Sequence, residues 1–306
     1  MAVQLTQLVG NMIQKEPFWD DLLNDIKSQA YQTVYVVGNT DCGKTFLCRY
    51  LAQQMLSEKK VALIDCDPGQ SNLGLPTTLN AGIFTQPEME NPEQIFSRFI
   101  GVTTPSQKKL HCLLAVQRLK EKMQQMGSEF TIFDSSGYSS GTDAVEFQAI
   151  LIEAIQPDLV IMVEHENELD LLARHITKLN GVEIRRLPVS QHVTPRSMPI
   201  RREYREKKFR QYFQNSDLKV VDISNMLLCG SLPERFTVQT VRGRLIAFLD
   251  SEKFVIRVAV ARSIYDNDQI CVCLVPDFNA RDAAFLQIGD LFLDPELKED
   301  HSRQAS

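Results

Sequence analysis

The chain has 306 residues, a formal net charge of −6 and 43% hydrophobic residues. This length accommodates one large α/β domain and a smaller second domain, which excludes a disordered or fibrous class. Because the whole molecule is acidic, a nucleic-acid partner would have to be held by a local basic patch. The seven cysteines show no paired CxxC spacing, which argues against zinc and favours reduced, buried thiols.

Membrane and export signals are missing from the sequence. No apolar run is long enough to span a bilayer, and the first residues lack the basic and apolar regions of a signal peptide. We therefore expect a cytoplasmic protein that does not bind membranes.

The first two-thirds of the chain predict an α/β fold. Apolar residues at helical spacing, interrupted by Pro17, predict two short helices in an N-terminal segment over residues 1–31. Strands and helices then alternate, which predicts a mostly parallel sheet covered by helices on both faces, with ligands at the carboxyl ends of its strands. The predicted strands are 33–37, 61–65, 130–134, 159–163 and 182–187, and the predicted helices are 44–56, 107–126, 144–155 and 166–179.

The remaining third has a different pattern. Short alternating runs at 244–249, 254–261 and 270–275 are separated by turn-forming residues and predict a small β-rich domain over residues 216–296. The polar end, 297–306, is expected to be disordered. A P-loop domain would then span residues 32–215, including a basic lid at about 190–213.

The segment GNTDCGKT has the Gly-x-x-x-x-Gly-Lys-Thr spacing of a phosphate-binding loop, between an apolar β-branched run and a helical segment. Glycines let the backbone amides face an anion, the lysine reaches the β- and γ-phosphates, and the threonine hydroxyl ligates Mg²⁺. The predicted ATP contacts are Gly38, Asn39, Thr40, Asp41, Cys42, Gly43, Lys44, Thr45 and Phe46.

Acidic residues follow two further predicted strands. Asp65 and Asp67 end the second strand, and Asp134 ends the third, three residues before Gly137. We expect Thr45, Asp65 and Asp134 around the metal, with Asp67 over the γ-phosphate as a proton acceptor. Which of the three carboxylates supports the metal is left open, and ordinary turn residues are the alternative interpretation. No Asn-Lys-x-Asp guanine motif follows, which favours ATP over GTP.

A basic segment follows the last predicted parallel strand. Between residues 185 and 210 there are nine Lys or Arg and two Glu. A solvated helix face is the usual explanation of such a run. Its place in the chain instead favours a lid over the site, with Arg201 and Arg205 on one helical face. Either arginine would neutralise charge on a transferring phosphoryl group, and the sequence does not decide which.

Five motifs together resemble one family. In order and spacing, GNTDCGKT, DCDPGQ, GVTTPSQKKL, DSSGY and RREYREKKFRQYF are similar to the polynucleotide 5′-hydroxyl kinases, which include the eukaryotic mRNA 3′-end-processing factor and the kinases of ribosomal-RNA processing. The resemblance covers about residues 34–213. It implies that Asp67 activates the acceptor hydroxyl and that Lys44, Arg201 and Arg205 complete the catalytic set. It also implies five acceptor contacts: Gln70, Thr104, Pro105, Tyr138 and Arg202.

The chain departs from the family pattern in two places. Ser106 replaces a glycine that usually follows the Thr-Pro pair, and Tyr138 stands where the family often has tryptophan, although tyrosine still offers a face for base stacking. The long N-terminal β domain of the eukaryotic members is also missing, so we expect a compact, prokaryotic-type member.

These observations predict ATP- and Mg²⁺-dependent transfer of the γ-phosphate to the 5′-hydroxyl end of single-stranded RNA, with DNA as a further acceptor. A nucleotide-dependent switch or assembly ATPase, a catalytically weak RNA-processing scaffold and a small-molecule kinase are the alternatives. No protein partner is indicated.

Overall fold

The computed structural model describes residues 15–85, 92–265 and 269–303. The predicted helix before Pro17 lies almost entirely outside these ranges. The second predicted helix is α1 (Phe18–Ser28).

A seven-stranded sheet forms the first domain. Its strands are β1 (Thr33–Gly38), β2 (Val61–Asp65), β3 (Thr78–Phe84), β4 (Gln94–Phe99), β5 (Phe130–Asp134), β6 (Leu159–Glu164) and β7 (Glu183–Pro188). The strand order is β4-β3-β2-β5-β1-β6-β7. Five strands pair in parallel, as predicted, while β3 and β4 extend the sheet in the antiparallel sense and were not predicted.

Helices cover both faces of this sheet. They are α2 (Lys44–Met55), α3 (Lys109–Gln125), α4 (Thr142–Ile155) and α5 (Asp170–Ile176). Alternate residues of β1 face opposite sides, so that Tyr35 packs with α3, α4 and α5 while Val36 packs with α1 and α2. The predicted α/β fold with a mostly parallel sheet is confirmed.

The second domain is a six-stranded, mostly antiparallel sheet, which confirms the predicted β-rich C-terminal domain. It contains β8 (Asp217–Asp222), β9 (Leu227–Gly230), β10 (Arg244–Leu249), β11 (Val255–Tyr265), β12 (Ile270–Val275) and β13 (Phe285–Phe292), with a short helix α7 (Val238–Val241). The strand order is β8-β12-β11-β10-β13-β9, and only the β13–β9 pair is parallel.

Helix α6 (Met198–Phe213) carries most of the basic segment and joins the two domains. Its Phe209 and Phe213 are buried in one core with Phe99 of β4 and with Leu245 and Val258 of the second sheet. Burial of two aromatic side chains contributes several kcal/mol by area, on the order of 2 kcal/mol each. Helix α6 is therefore a packed element rather than a free-standing lid.

The chain end departs from the expected disorder. Residue 299 forms an isolated β-bridge with Leu293, and His301–Arg303 forms a 3-10 turn. The Glu299 carboxylate is buried and pairs with Arg205 of α6. The expectation of disorder is thus wrong for residues 297–303, because this ion pair and bridge hold them in place, whereas 304–306 lie outside the described residues. Within the described ranges, no helix combines the length and apolar character needed to cross a bilayer.

Candidate functional site

The P-loop connects the end of β1 to the start of α2. Asp41 and Gly43 adopt positive φ angles of 55° and 91°, which turn the loop back before the helix begins. A Cβ on Gly38 would lie 2.3 Å from the carbonyl oxygen of Val163, so only glycine fits there. The Lys44 Nζ donates to the carbonyls of Gly38 (2.9 Å) and Asn39 (2.7 Å). The ammonium group is therefore held at the mouth of the loop, where phosphate oxygens would compete for it.

The remaining predicted nucleotide contacts differ in exposure. Ser139 and Ser140 both donate to Asn39 Oδ1, and Thr40 Oγ1 donates to the carbonyl of Gly137. These bonds join the P-loop to the loop after β5. Cys42 is buried, whereas 52% of Phe46 is exposed on the first turn of α2.

Thr45 and Asp134 meet at the carboxyl edge of the sheet. The Thr45 Oγ1 donates to Asp134 Oδ2 at 2.6 Å, and the buried Asp134 Oδ1 has no hydrogen-bond partner among the described residues. Burial and the nearby Asp65 carboxylate raise the pKa of Asp134 to about 7. A hydroxyl and an unpartnered carboxylate oxygen beside a P-loop suit Mg²⁺, which prefers oxygen ligands and keeps several waters.

No group of three or more His, Cys, Asp or Glu side chains in the described ranges is arranged to hold a metal by itself. Phosphate oxygens and water would therefore complete the coordination of a cation at Thr45 and Asp134.

Asp65 lies opposite Asp134 in register, and its carboxylate is engaged by the loop that follows β2. Its Oδ2 accepts hydrogen bonds from the Ser71 hydroxyl (2.9 Å) and the backbone amides of Asn72 (2.6 Å) and Leu73 (3.3 Å), while its Oδ1 accepts from the Asp67 amide. The carboxylate thus orders the loop that follows β2. Because its oxygens are occupied there, the geometry favours Asp134 over Asp65 as the metal residue.

Asp67 is oriented by its own turn. Its Oδ1 accepts from the amides of Gly69 (2.7 Å) and Gln70 (3.0 Å), and the residue is half-buried. Gln70 Nε2 donates to the carbonyl of Gly69 and, at 3.4 Å, to that of Arg201. The Gln70 Oε1 is buried without a partner among the described residues. The acidic loop and α6 are therefore in direct contact at Gln70.

The predicted acceptor loop lies beside Asp67. A Cβ on Gly69 would be 2.5 Å from the carbonyl oxygen of Thr103, so the two loops touch along their backbones. Thr104 Oγ1 lies 3.0 Å from the Ser106 hydroxyl, and Pro105 is buried at the start of a 3-10 turn. The serine that replaces the family glycine thus hydrogen-bonds within the loop.

Tyr138 is half-buried, and its hydroxyl donates to Asp143, which also pairs with Lys109. Its ring centroid lies 6.0 Å from that of Phe147. The hydrogen bond to Asp143 and the contact with Phe147 thereby fix the orientation of the Tyr138 ring.

The arginines of α6 point in two directions. Arg201 Nη2 lies 2.8 Å from Asp41 Oδ2 in the P-loop, and the Arg196 amide donates to the same oxygen at 2.7 Å. Burial raises the pKa of Asp41, but the hydrogen bonds from Arg196 and Arg201 outweigh it and lower the pKa overall. Arg205 instead donates through Nε and Nη2 to the buried Glu299 carboxylate.

Arg202 also faces away from the P-loop. Its Nε donates to Glu206 Oε1 at 2.8 Å and its Nη2 to the Glu299 carbonyl. The structure therefore brings Arg201 to the P-loop, whereas Arg202 and Arg205 contact Glu299 near the chain end.

Two residues of α6 that the sequence analysis did not single out attach the helix to the acidic loop. The Tyr204 hydroxyl and Lys208 Nζ both donate to the Ser71 carbonyl, and Lys208 donates to Gly74 as well. Burial lowers the pKa of Lys208 to about 8. Their helical spacing from Arg201 was the available signal, because residues 201, 204 and 208 share one face.

Comparisons with known proteins identify relatives for most of this region. The family model described as the mRNA cleavage and polyadenylation factor CLP1 P-loop matches residues 38–215. A polyribonucleotide 5′-hydroxyl-kinase of Pyrococcus horikoshii is 31% identical over 212 residues, which cover 68% of this chain and 56% of that protein. The corresponding kinase of Pyrococcus abyssi is 33% identical over 205 residues, 65% of this chain and 55% of that protein.

The chain thus spans a little over half the length of these archaeal relatives. Among solved structures, the Clp1p–Pcf11p complex aligns with a TM-score of 0.68 at 16% identity, over 89% of this chain and 78% of that one. At this identity the structural match establishes a shared fold.

Proposed function

This chain belongs to the CLP1 P-loop family, and on that premise we propose that it transfers the γ-phosphate of ATP to the 5′-hydroxyl end of single-stranded RNA, with DNA as a further acceptor. The observation that carries the proposal is the contact of three elements. Arg201 of α6 pairs with Asp41 in the P-loop, and its carbonyl accepts from Gln70 in the acidic loop. The P-loop, the acidic loop and α6 therefore meet at Arg201.

The phosphate end is built from the P-loop. The amides of residues 38–45 and the Lys44 ammonium group would hold the β- and γ-phosphates, with Lys44 leaving the carbonyls of Gly38 and Asn39. We propose Mg²⁺ as the metal, held by Thr45 and Asp134; when bound, it neutralises charge on the phosphates.

The acceptor end is built from the two neighbouring loops. Thr104 and Pro105 would receive the first nucleotides, and the terminal base would stack on Tyr138, an interaction worth about 1 to 3 kcal/mol for any base. Asp67 accepts the proton of the 5′-hydroxyl as that oxygen forms its bond to the γ-phosphorus and the bond to the bridging oxygen breaks, so that ADP leaves. Arg201 stabilises the charge that develops on the transferring group.

We also propose a cytoplasmic location. All seven cysteines are free thiols. Such a set is typical of compartments in which glutathione and thioredoxin keep thiols reduced.

One observation favours a second candidate, a nucleotide-dependent switch ATPase. A Cβ on Gly137 would lie 2.2 Å from Thr40 Oγ1, so the Asp-x-x-Gly segment packs tightly on the P-loop. Segments of this kind report the state of the γ-phosphate in nucleotide-dependent switches.

The test is label transfer. The protein is incubated with γ-labelled ATP, Mg²⁺ and a short RNA that carries either a 5′-hydroxyl or a 5′-phosphate. We expect label on the 5′-hydroxyl RNA alone, and none with Lys44→Ala. A 5′-hydroxyl RNA that stays unlabelled while ATP is hydrolysed would support the switch instead.

A further inference from the structure

A cleft of about 330 Å³ opens between the two domains, next to the predicted acceptor loop. Thr104 and Gln107 line it on the side of the first domain, and Arg244, Asp290 and Arg303 line it on the side of the second. We call it the interdomain cleft. Its volume lies within the range of small-molecule sites in proteins, about 300 to 1,000 Å³.

The second domain is fixed at this place by backbone contacts. The amides of Asp290 and Leu291 both donate to the carbonyl of Gly101, at 2.9 and 3.1 Å. Gly101 has a φ of 80°, and a Cβ there would lie 2.6 Å from the Cα of Gly289. The two backbone segments therefore pack directly against each other beside the cleft.

Two guanidinium groups give the cleft a positive wall. The Cζ atoms of Arg244 and Arg303 lie 5.0 and 4.9 Å from the centre of the Phe292 ring. Each group donates to backbone carbonyls, Arg244 to Ser231 and Arg303 to Gln239 and Arg242. A guanidinium carries five N–H donors, so donors remain on both.

Within the described ranges, neither guanidinium group is in a direct ion pair. The Asp290 carboxylate pairs with Lys108 Nζ at 3.0 Å and acts on Arg244 only at longer range. The Arg244 Nε is buried and has no hydrogen-bond partner in the described part of the chain. Such a group points to an anionic ligand, because a buried donor without a partner is costly.

We propose that the interdomain cleft binds the acceptor strand downstream of its reacting end, with Arg244 and Arg303 on an internucleotide phosphate. This inference rests on the proposed function and extends it to the second domain. The cleft is continuous with the loops around Asp67, which favours a bound nucleic-acid strand over a free anion. Thr103 lines the cleft, and its carbonyl packs on Gly69, whose amide donates to Asp67. A strand with its end at Asp67 would pass along Thr104 into the cleft.

Equilibrium binding tests this inference separately from catalysis. A 5′-hydroxyl RNA hexamer labelled at its 3′ end is titrated with wild-type protein, Arg303→Gln and the double variant Arg244→Gln/Arg303→Gln, and binding is followed by fluorescence anisotropy. Lys219→Gln is the control, because Lys219 lies on β8 at the opposite edge of the second sheet from β13 and β9.

We expect the double variant to bind the hexamer at least about 10-fold more weakly, as the loss of charge-assisted bonds requires. The slope of log affinity against log salt concentration should be shallower by about 0.7 in this variant, since each phosphate contact to a single strand contributes about 0.7. Binding of a dinucleotide, which is too short to reach both sites, should change less than about twofold. Lys219→Gln should match wild type in each measurement.

Asp290→Asn should change the affinity for the hexamer in the opposite direction. Removing this carboxylate from the cleft should tighten hexamer binding, so the inference can be tested even if the Arg244 substitution prevents folding. Unchanged hexamer affinity in Arg303→Gln and Asp290→Asn would overturn the inference, as would displacement of the hexamer from the cleft by inorganic phosphate or AMP at equal concentration. If hexamer binding depends on the cleft but no phosphate is transferred, the proposed function fails and the cleft assignment stands.

Discussion

Arg201 of α6 and Asp41 of the P-loop form an ion pair with 2.8 Å between Nη2 and Oδ2. Arg205, one helical turn later, is paired with Glu299 from the chain end instead. A single turn of α6 thus separates an arginine at the phosphate site from an arginine that holds the fold together.

Substitution of these two arginines should have different effects. Arg201→Ala should lower kcat for phosphate transfer by about 10³-fold or more, because it removes the positive charge that stabilises the negatively charged transferring group. Arg205→Ala should instead lower the free energy of unfolding by about 3 to 5 kcal/mol, because it leaves the buried Glu299 carboxylate uncompensated. Single-turnover kinetics and urea unfolding measure the two effects. Equal losses of kcat in both variants at full folding would show that Arg205 also acts in catalysis.

Asp67→Asn isolates the proposed proton acceptor. An asparagine Oδ1 can still accept from the amides of Gly69 and Gln70, so the acidic loop keeps its shape. We expect kcat to fall by about 10² to 10⁴-fold, the usual contribution of a general base, with little change in the KM for ATP. Initial rates at varied ATP and RNA provide both parameters. Full transfer activity would mean that Asp67 is not the base.

Gly137→Ala should weaken ATP binding. The added methyl group would meet Thr40 Oγ1 at 2.2 Å and Thr40 Cα at 2.8 Å, so the P-loop has to shift. The KM for ATP should rise by about 10-fold or more, on the order of 1.4 kcal/mol in binding. Gly127→Ala is the control, because it adds a methyl group at a positive φ with no atom within 4 Å. That variant should lose stability but keep its affinity for ATP, and similar KM values in the two variants would contradict the expected contact.

The stability of the nucleotide-free protein should depend on Asp134. Its pKa is about 7 in the folded state and 3.8 for the ordinary group, because burial disfavours the charged form. Between these values the unfolded chain has released a proton that the folded chain retains, so the free energy of unfolding decreases as pH rises from about 4 to 7. In EDTA, Asp134→Asn should therefore have a higher Tm than wild type at pH 8 and a similar Tm at pH 4. A constant difference in Tm across this range would show that Asp134 does not titrate there.

Elements that a local sequence pattern determines were predicted correctly. The P-loop and the five parallel strands have short-range signatures, and the strand ends of β2 and β5 place Asp65 and Asp134 opposite each other in register. Strands β3 and β4 were missed because β3 is fully buried yet contains Asn80 and Gly82. The Asn80 side chain hydrogen-bonds with Ser71, Thr78 and Ser97, and no sequence pattern indicates that such a buried amide is satisfied.

The roles of individual charges were harder to predict. Arg201 and Arg205 share a helical face, and only their distant partners distinguish them. Asp41 precedes Arg201 by 160 residues, and Glu299 follows Arg205 by 94. Asp65 likewise looks like a metal ligand until the amides of Asn72 and Leu73 are seen to occupy it.

We propose that this site transfers a phosphate to the 5′ end of an RNA. The most direct test follows ADP and 5′-phosphorylated RNA in the same reaction. We predict equal amounts of the two products with a 5′-hydroxyl RNA and very little ADP without it, since the proposed base Asp67 acts on the acceptor hydroxyl. ADP formed at the same rate with and without RNA, and no phosphorylated RNA, would show that the protein is not an RNA kinase.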